Sequence, residues 1–246
     1  MTELFDLFEV GGKVRDEILG LKSKDVDYVA VPNETLLREY TEASDMFQVL
    51  SDYLIAEKFE IFLETPSCFT IRARFPEGHK YEGVADFVMA RKEVGYIQGT
   101  RTPIIKPGSL FDDLERRDFT LNAMAKGDDG KIIDFFNGLE DLKERILRTP
   151  LPVRQTFDDD PLRILRALRF SITKGFKISS DIRVAIHQYD YEDKMGVVSA
   201  ERIKDELFKC FKHDTLETLE RLRQFPHLKE YIFNRTSLWL KSTFEQ

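Results

Sequence analysis

Two cysteines, four histidines and one tryptophan among 246 residues leave little material for several common chemistries. Cys68 and Cys210 lie far apart, in segments that read as a buried strand and a buried helix, so no disulfide framework is expected and a reducing cytoplasm is the expected compartment. No Cys/His cluster has zinc spacing, and the pair His213-Asp214 lacks further histidines placed to complete a phosphohydrolase metal site. No Ser/His or Cys/His dyad suggests covalent catalysis. No apolar run approaches a membrane span, and Met1 to Glu9 lacks the basic-then-apolar order of a signal peptide. A net charge of −7 argues against indiscriminate nucleic-acid binding.

What is present is local. Val10-Gly11-Gly12-Lys13-Val14-Arg15-Asp16 ends an apolar stretch in two glycines and runs into a helix-compatible segment, Lys13 to Leu19. Glycines lack a Cβ, so the backbone can turn sharply and bring its N–H groups to a phosphate, with a helix N-terminus behind. Asp25 and Asp27 follow, at i and i+2 on a strand, and so on one face. Two converging carboxylates repel unless a divalent cation lies between them. Between Arg145 and Gly175, seven basic residues face three acidic ones, giving a polarised rather than a basic molecule.

The first part reads as α+β. Val26 to Val31 is a strand, Glu34 to Lys58 reads as one helix by its apolar period, and Cys68 to Phe75 and Glu82 to Met89 read as strands around a turn at Pro76-Glu77-Gly78. Asp86 interrupts the second of these, and because a lone buried acid costs stability it belongs either at a cleft or at the sheet rim. Arg91 to Ser109 has no clear period and reads as a mobile loop. From about Leu139 the pattern is helical, with a boundary expected near Phe136 to Leu139 and a weak last segment.

Further motifs recur in order: Arg116-Arg117-Asp118-Phe119-Thr120-Leu121-Asn122-Ala123, then Asp134 through Gly138 to Asp141-Leu142, Asp159-Asp160-Pro161-Leu162-Arg163, and Glu201-Arg202-Ile203 with Glu206. With the Gly-Gly and Asp-x-Asp elements, this set resembles class II tRNA nucleotidyltransferases, the CCA-adding enzymes and their bacterial poly(A) polymerase relatives. The resemblance covers residues 10 to about 210. It implies a polymerase-β-like head (1–137), an all-helical neck that reads the base (138–198) and a short helical body (199–246). It implies addition of CMP and AMP from CTP and ATP to the 3′ end of tRNA, with two Mg2+ ions on Asp25 and Asp27 and Asp86 assisting the attacking hydroxyl. Gly11, Gly12, Arg15 and Arg117 match positions that contact the triphosphate, and Asp118 and Asn122, four apart, match positions facing the ribose. The competing readings are an exposed helical ion pair for Arg15 and Asp16, and a helix cap for Asp118.

Asp160 and Arg163 match an acidic-x-x-Arg pair that reads the base. Cytosine and adenine both present an amine beside a ring-nitrogen acceptor, which suits a carboxylate that only accepts and a guanidinium that only donates. Uracil and guanine reverse that order. The alternative is that Asp160 with Pro161 initiates a helix. Arg166 and Arg169 continue toward the phosphates, while Glu201, Arg202 and Glu206 brace the neck. A polyadenylating, A-only or CC-only enzyme shares these motifs, and a catalytically silent RNA-binding module is the rival from another class. The short stretch after the fifth motif implies weak binding centred on the acceptor-stem end of tRNA. Alternatively, Leu228, Tyr231, Ile232, Phe233 and Trp239, read as exposed, form a homo-oligomer surface.

Overall fold

The computed structural model describes residues 4–22, 26–100 and 102–238. Its chain divides into two compact units, one of residues 1–98 and 102–142 and one of residues 99–101 and 143–246.

The first unit is built on a seven-stranded sheet. In chain order it contains β1 (Phe5–Val10), α1 (Gly12–Ile18), β2 (Val26–Pro32), α2 (Glu34–Glu39), α3 (Ala43–Ala56), β3 (Glu60–Thr65), β4 (Thr70–Arg74), β5 (Val84–Met89), β6 (Arg91–Tyr96), β7 (Pro103–Pro107), α4 (Leu110–Glu115), β8 (Met124–Lys126) and β9 (Ile132–Asp134). The sheet order is β3-β4-β5-β2-β1-β8-β9, while β6 and β7 form a separate hairpin. β2 and β5 run parallel; the remaining neighbours are antiparallel. One face is packed by Met46, Phe47, Leu50 and Leu54 of α3 against Tyr28, Ile71, Ala73 and Phe87. The other carries Val10, Val29, Ala90 and Ala125 beneath Leu110 and Leu114 of α4.

Two expectations for this unit change. The helix expected over 34–58 breaks: Tyr40 and Glu42 are extended, and α2 and α3 are separate. A straight helix of that length would run about 37 Å, past strands of about 20 Å. The break lets both Leu36 and Leu50 reach one core. The loop expected over 91–109 is instead the β6–β7 hairpin, with a bulge between Glu93 and Gly95. Its half-buried positions include Arg91 and Glu93, which pair with each other at 3.2 Å, so no apolar alternation marks the strand.

α5 (Gly138–Glu144) contains the division between the units. It stops at Glu144 because Arg145 takes a left-handed backbone, φ 56°. The second unit then comprises β10 (Ile146–Leu147), α6 (Val153–Asp159), α7 (Leu162–Thr173), β11 (Lys177–Ile178), α8 (Ser180–Gln188), α9 (Tyr191–Lys194), α10 (Ala200–His213), α11 (Thr215–Arg223) and α12 (Pro226–Thr236). β10 and β11 pair in parallel. α12 turns the expected weak last segment into a regular helix, and it corrects a surface reading. Leu228, Tyr231, Ile232 and Phe233 are buried in this unit, so they form no free apolar patch; Trp239 lies outside the described residues. Cys210 is buried, while Cys68 sits half-buried in a short turn before β4 rather than within a strand, and both are free. Burial pushes the Cys210 thiol up to about 12, which keeps it protonated and inert. Among the described residues no helix is long and apolar enough to cross a membrane.

Candidate active site

Strand register builds the first part of the site. Asp27 is the β2 partner of Val10 on β1 and of Asp86 on β5, and Asp86 is in turn the partner of Arg72 on β4. Paired residues on neighbouring strands point to one face, so Asp27, Asp86 and Arg72 form a row across the sheet. Arg72 grips Asp86 through Nε and Nη2, each 2.6 Å from a carboxylate oxygen. Asp27, Asp86 and Arg72 line one open groove of about 510 Å³. Asp25 lies outside the described residues. Among those described, no group of three His, Cys, Asp or Glu side chains is placed to hold a metal. The Asp27 carboxylate supplies a hard oxygen donor of the kind magnesium takes when phosphates and water complete its shell.

The Gly-Gly turn leads from Val10, the strand neighbour of Asp27, into α1. Gly11 has φ 70° and ψ −133°, a conformation open to glycine and strained for other residues. A Cβ on it would lie 3.0 Å from Arg117 Nη1 and 3.7 Å from Asp27 Oδ2. The missing side chain therefore lets a guanidinium and a carboxylate approach the same backbone. Arg117 keeps one buried nitrogen, Nε, with no hydrogen-bond partner among the described residues. Arg117 thus brings its positive charge to the glycine turn through Nη1, an arrangement that fits an anionic ligand.

Behind this front stands a connected set of buried charges. Asp113 is fully buried, takes Arg117 Nη2 at 3.0 Å and also binds Arg116. Burial alone would raise the Asp113 carboxyl, but the two guanidiniums outweigh it and hold the group below its ordinary value of 3.8. Arg116 also reaches Glu93 at 3.6 Å, and so ties α4 to the β6–β7 hairpin. Arg15 donates from Nη1 to Asn122 Oδ1 at 2.6 Å and from Nε to Asp16 at 2.9 Å. The Arg15–Asp16 pair is not the exposed one weighed above: both side chains are almost entirely covered. Asn122 donates to Asp118 Oδ1 at 2.9 Å, which also accepts the Phe119 amide. Asp118 and Asn122 thus meet across a 3-10 turn, Thr120–Asn122, rather than along an α-helix.

The third motif is structural here. Asp134 accepts the amides of Phe136, Gly138 and Leu139. Asp141 takes the Thr120 hydroxyl at 2.6 Å, and a Cβ on Gly138 would sit 2.3 Å from the Thr120 carbonyl oxygen. That contact braces the turn bearing Asp118 and Asn122.

In the second unit, Asp160 ends α6 and accepts the Leu162 amide at 3.0 Å, so the helix-initiating role weighed for it is present. Arg163 sits one turn on and donates to the Thr156 carbonyl at 3.3 Å. Arg166 lies against the Phe170 ring, its guanidinium carbon 5.8 Å from the centroid. Arg169 departs from the expected row: its Nε is 2.6 Å from Glu206, whose side chain is buried, and its guanidinium stacks on Phe170. The Arg169–Glu206 pair links α7 to α10.

Sequence patterning missed Asp113, Glu93 and Arg72. Only the capping box of Ser109 and Asp112 marked the start of α4, and nothing in the period of β4 distinguishes Arg72 from Arg74.

The chain is similar to several known proteins. The poly A polymerase head domain family matches residues 7–148. A multifunctional CCA protein of Pasteurella multocida is 35% identical over 204 residues, covering 80% of this chain and 42% of that protein. An A-adding tRNA nucleotidyltransferase of Aquifex aeolicus is 34% identical over 233 residues, covering 91% of this chain and 25% of its own. A crystal structure of a tRNA nucleotidyltransferase complexed with a primer tRNA and an incoming ATP analog superposes with a TM-score of 0.67 at 31% identity, covering 93% of this chain and 59% of that one. The chain thus spans less than two thirds of the length of each of these relatives.

Proposed function

The chain belongs to the poly A polymerase head domain family, and from that premise we propose that it adds CMP and AMP from CTP and ATP to the 3′ end of tRNA, releasing pyrophosphate. The observation that carries this reading is the convergence of Asp27, Gly11 and Arg117, with Asp86 the strand partner of Asp27. Arg117 and the Gly11-Gly12 turn take the triphosphate. Arg15 holds Asn122, and Asn122 with Asp118 faces the ribose. Asp25 and Asp27 would hold magnesium, which would supply Lewis acidity to the RNA 3′-hydroxyl and the departing pyrophosphate. Asp86 accepts the hydroxyl's hydrogen bond once Arg72 releases it. In the helical neck, Asp160 and Arg163 read the base edge and Arg166 supports the phosphates.

An A-only enzyme is the second reading, favoured by the likeness to the A-adding relative. Incubation of tRNA lacking its 3′ end with magnesium and each labelled triphosphate separately decides the matter. C then A incorporation is expected. Incorporation of A alone onto a tRNA already ending in CC supports the second reading, long A tracts support polyadenylation, and no incorporation at all leaves only an RNA-binding role.

A further inference from the structure

β3 is the edge of the seven-stranded sheet, and its pairing with β4 shifts register between Ile61 and Leu63. Such a bulge re-aims a side chain, and here the residue at the shift is Phe62, 52% exposed. Phe62 lines the same open groove as Asp27, Arg72 and Asp86. An exposed aromatic ring, a guanidinium and a pair of carboxylates in one groove match the parts of a nucleotide: a base to stack, a phosphate to hold and a hydroxyl to align.

Which nucleotide follows from the side of Asp27 on which these groups lie. Gly11 and Arg117 stand on the β1 side, where Val10 is the partner of Asp27. Arg72 and Phe62 stand on the other side, beyond β5 on β4 and β3. Phosphoryl transfer sets the attacking and leaving oxygens roughly in line. If the triphosphate enters from the β1 side, the attacking hydroxyl must enter from the β4 side. We propose that Phe62 and Arg72 form the acceptor-end subsite, where Phe62 stacks on the terminal base of the RNA and Arg72 takes its phosphate in exchange for Asp86. The grip of Arg72 on both Asp86 oxygens is the resting arrangement, and RNA phosphate competes for that guanidinium. The subsite rests on the catalytic reading of Asp27 and Asp86.

The test is equilibrium binding of a labelled acceptor-stem minihelix without triphosphate, followed by steady-state extension. Phe62→Ala and Arg72→Ala should each weaken minihelix binding about tenfold or more, with the KM for CTP and ATP unchanged. Phe62→Tyr should restore binding, because a phenol ring stacks as well. Melting temperature confirms that each variant is folded. Unchanged minihelix affinity, or a raised KM for triphosphate alone, overturns the proposal. So does loss of a concentration-dependent dimer in Phe62→Ala with RNA binding intact, which makes β3 a pairing edge for a second copy. Binding is read without turnover, so an Asp27→Ala enzyme that still extends RNA overturns the catalytic reading while the subsite is judged by its own affinities.

Discussion

Asp113, with no exposed surface, holds Arg117 Nη2 at 3.0 Å, while Arg117 Nη1 is placed 3.0 Å from where a Cβ on Gly11 would sit. One buried carboxylate thus aims the guanidinium at the glycine turn. Asp113→Asn keeps the shape and removes the charge. The KM for triphosphate should rise about tenfold or more, the cost of one charge-assisted hydrogen bond, while RNA affinity stays unchanged. In an Arg117→Ala background the same change should add nothing to the triphosphate KM. Additive effects on that KM would show that Asp113 acts on the fold and not through Arg117.

The same residue sets an acid limit. Its folded carboxyl is held below the ordinary 3.8 by Arg116 and Arg117 against the opposing effect of burial. A depressed carboxyl contributes stability that is present above the unfolded value and is lost as pH falls through the folded one. Wild-type unfolding free energy should therefore decline below about pH 4. Asp113→Asn should be less stable at neutral pH and show a shallower decline there. Parallel curves from urea unfolding between pH 6 and pH 3 would count against this assignment.

How much of this was legible in the residues depends on the kind of signal. Strands β2, β4 and β5 were readable because Ile71 and Ala73 alternate with Arg72 and Arg74, and because Val26 to Val31 is almost wholly apolar. Gly11, Asp27 and Arg117 were readable because each sits in a motif with a chemical reason for its residue type. The β6–β7 hairpin was hidden, since Arg91 and Glu93 fill its inward positions as a pair that hydropathy scores as surface. The partner of Arg169 was hidden because a run of arginines at three-residue steps says nothing of Glu206, which arrives from α10. Long-range partners of this sort are set by tertiary packing, not by local period.

Gly11→Ala should nearly abolish transfer. An alanine at φ 70° costs about 1–2 kcal/mol at the position described, and its methyl would displace Arg117, 3.0 Å away. Activity should fall far more than stability does. Gly20→Ala is the control: it carries a similar φ of 69° with open space around it, so it should lose comparable stability and keep transfer. Equal activity losses in the two variants would mean that backbone strain, not the Arg117 approach, is what matters at Gly11.

Gly138 serves the fold in the same sense. A methyl there would lie 2.3 Å from the Thr120 carbonyl, a backbone atom that cannot swing aside. Gly138→Ala should cost about 1–3 kcal/mol through overpacking. Because the displaced turn bears Asn122, discrimination between ribo- and deoxyribonucleotides should weaken as well. A variant with wild-type melting temperature and unchanged ribose selection would show that α5 moves freely enough to absorb the methyl.

Base selection offers the sharpest test of the second unit. Asp160 already accepts the Leu162 amide on Oδ1, so helix initiation and base reading draw on one carboxylate. Arg163 donates from its guanidinium to the Thr156 carbonyl at 3.3 Å. Replacing Asp160 should therefore lower both stability and selectivity, whereas Arg163→Ala should act chiefly on selectivity. Loss of the donor leaves the ring nitrogen of C or A unsatisfied and removes the clash with U and G. Misincorporation of UTP and GTP relative to CTP and ATP should rise on the order of tenfold or more, with triphosphate affinity little changed because Arg117 remains. The measurement is the ratio of kcat/KM values for the four triphosphates on one RNA acceptor. A uniform rate loss with an unchanged ratio would make Arg163 a phosphate or structural residue.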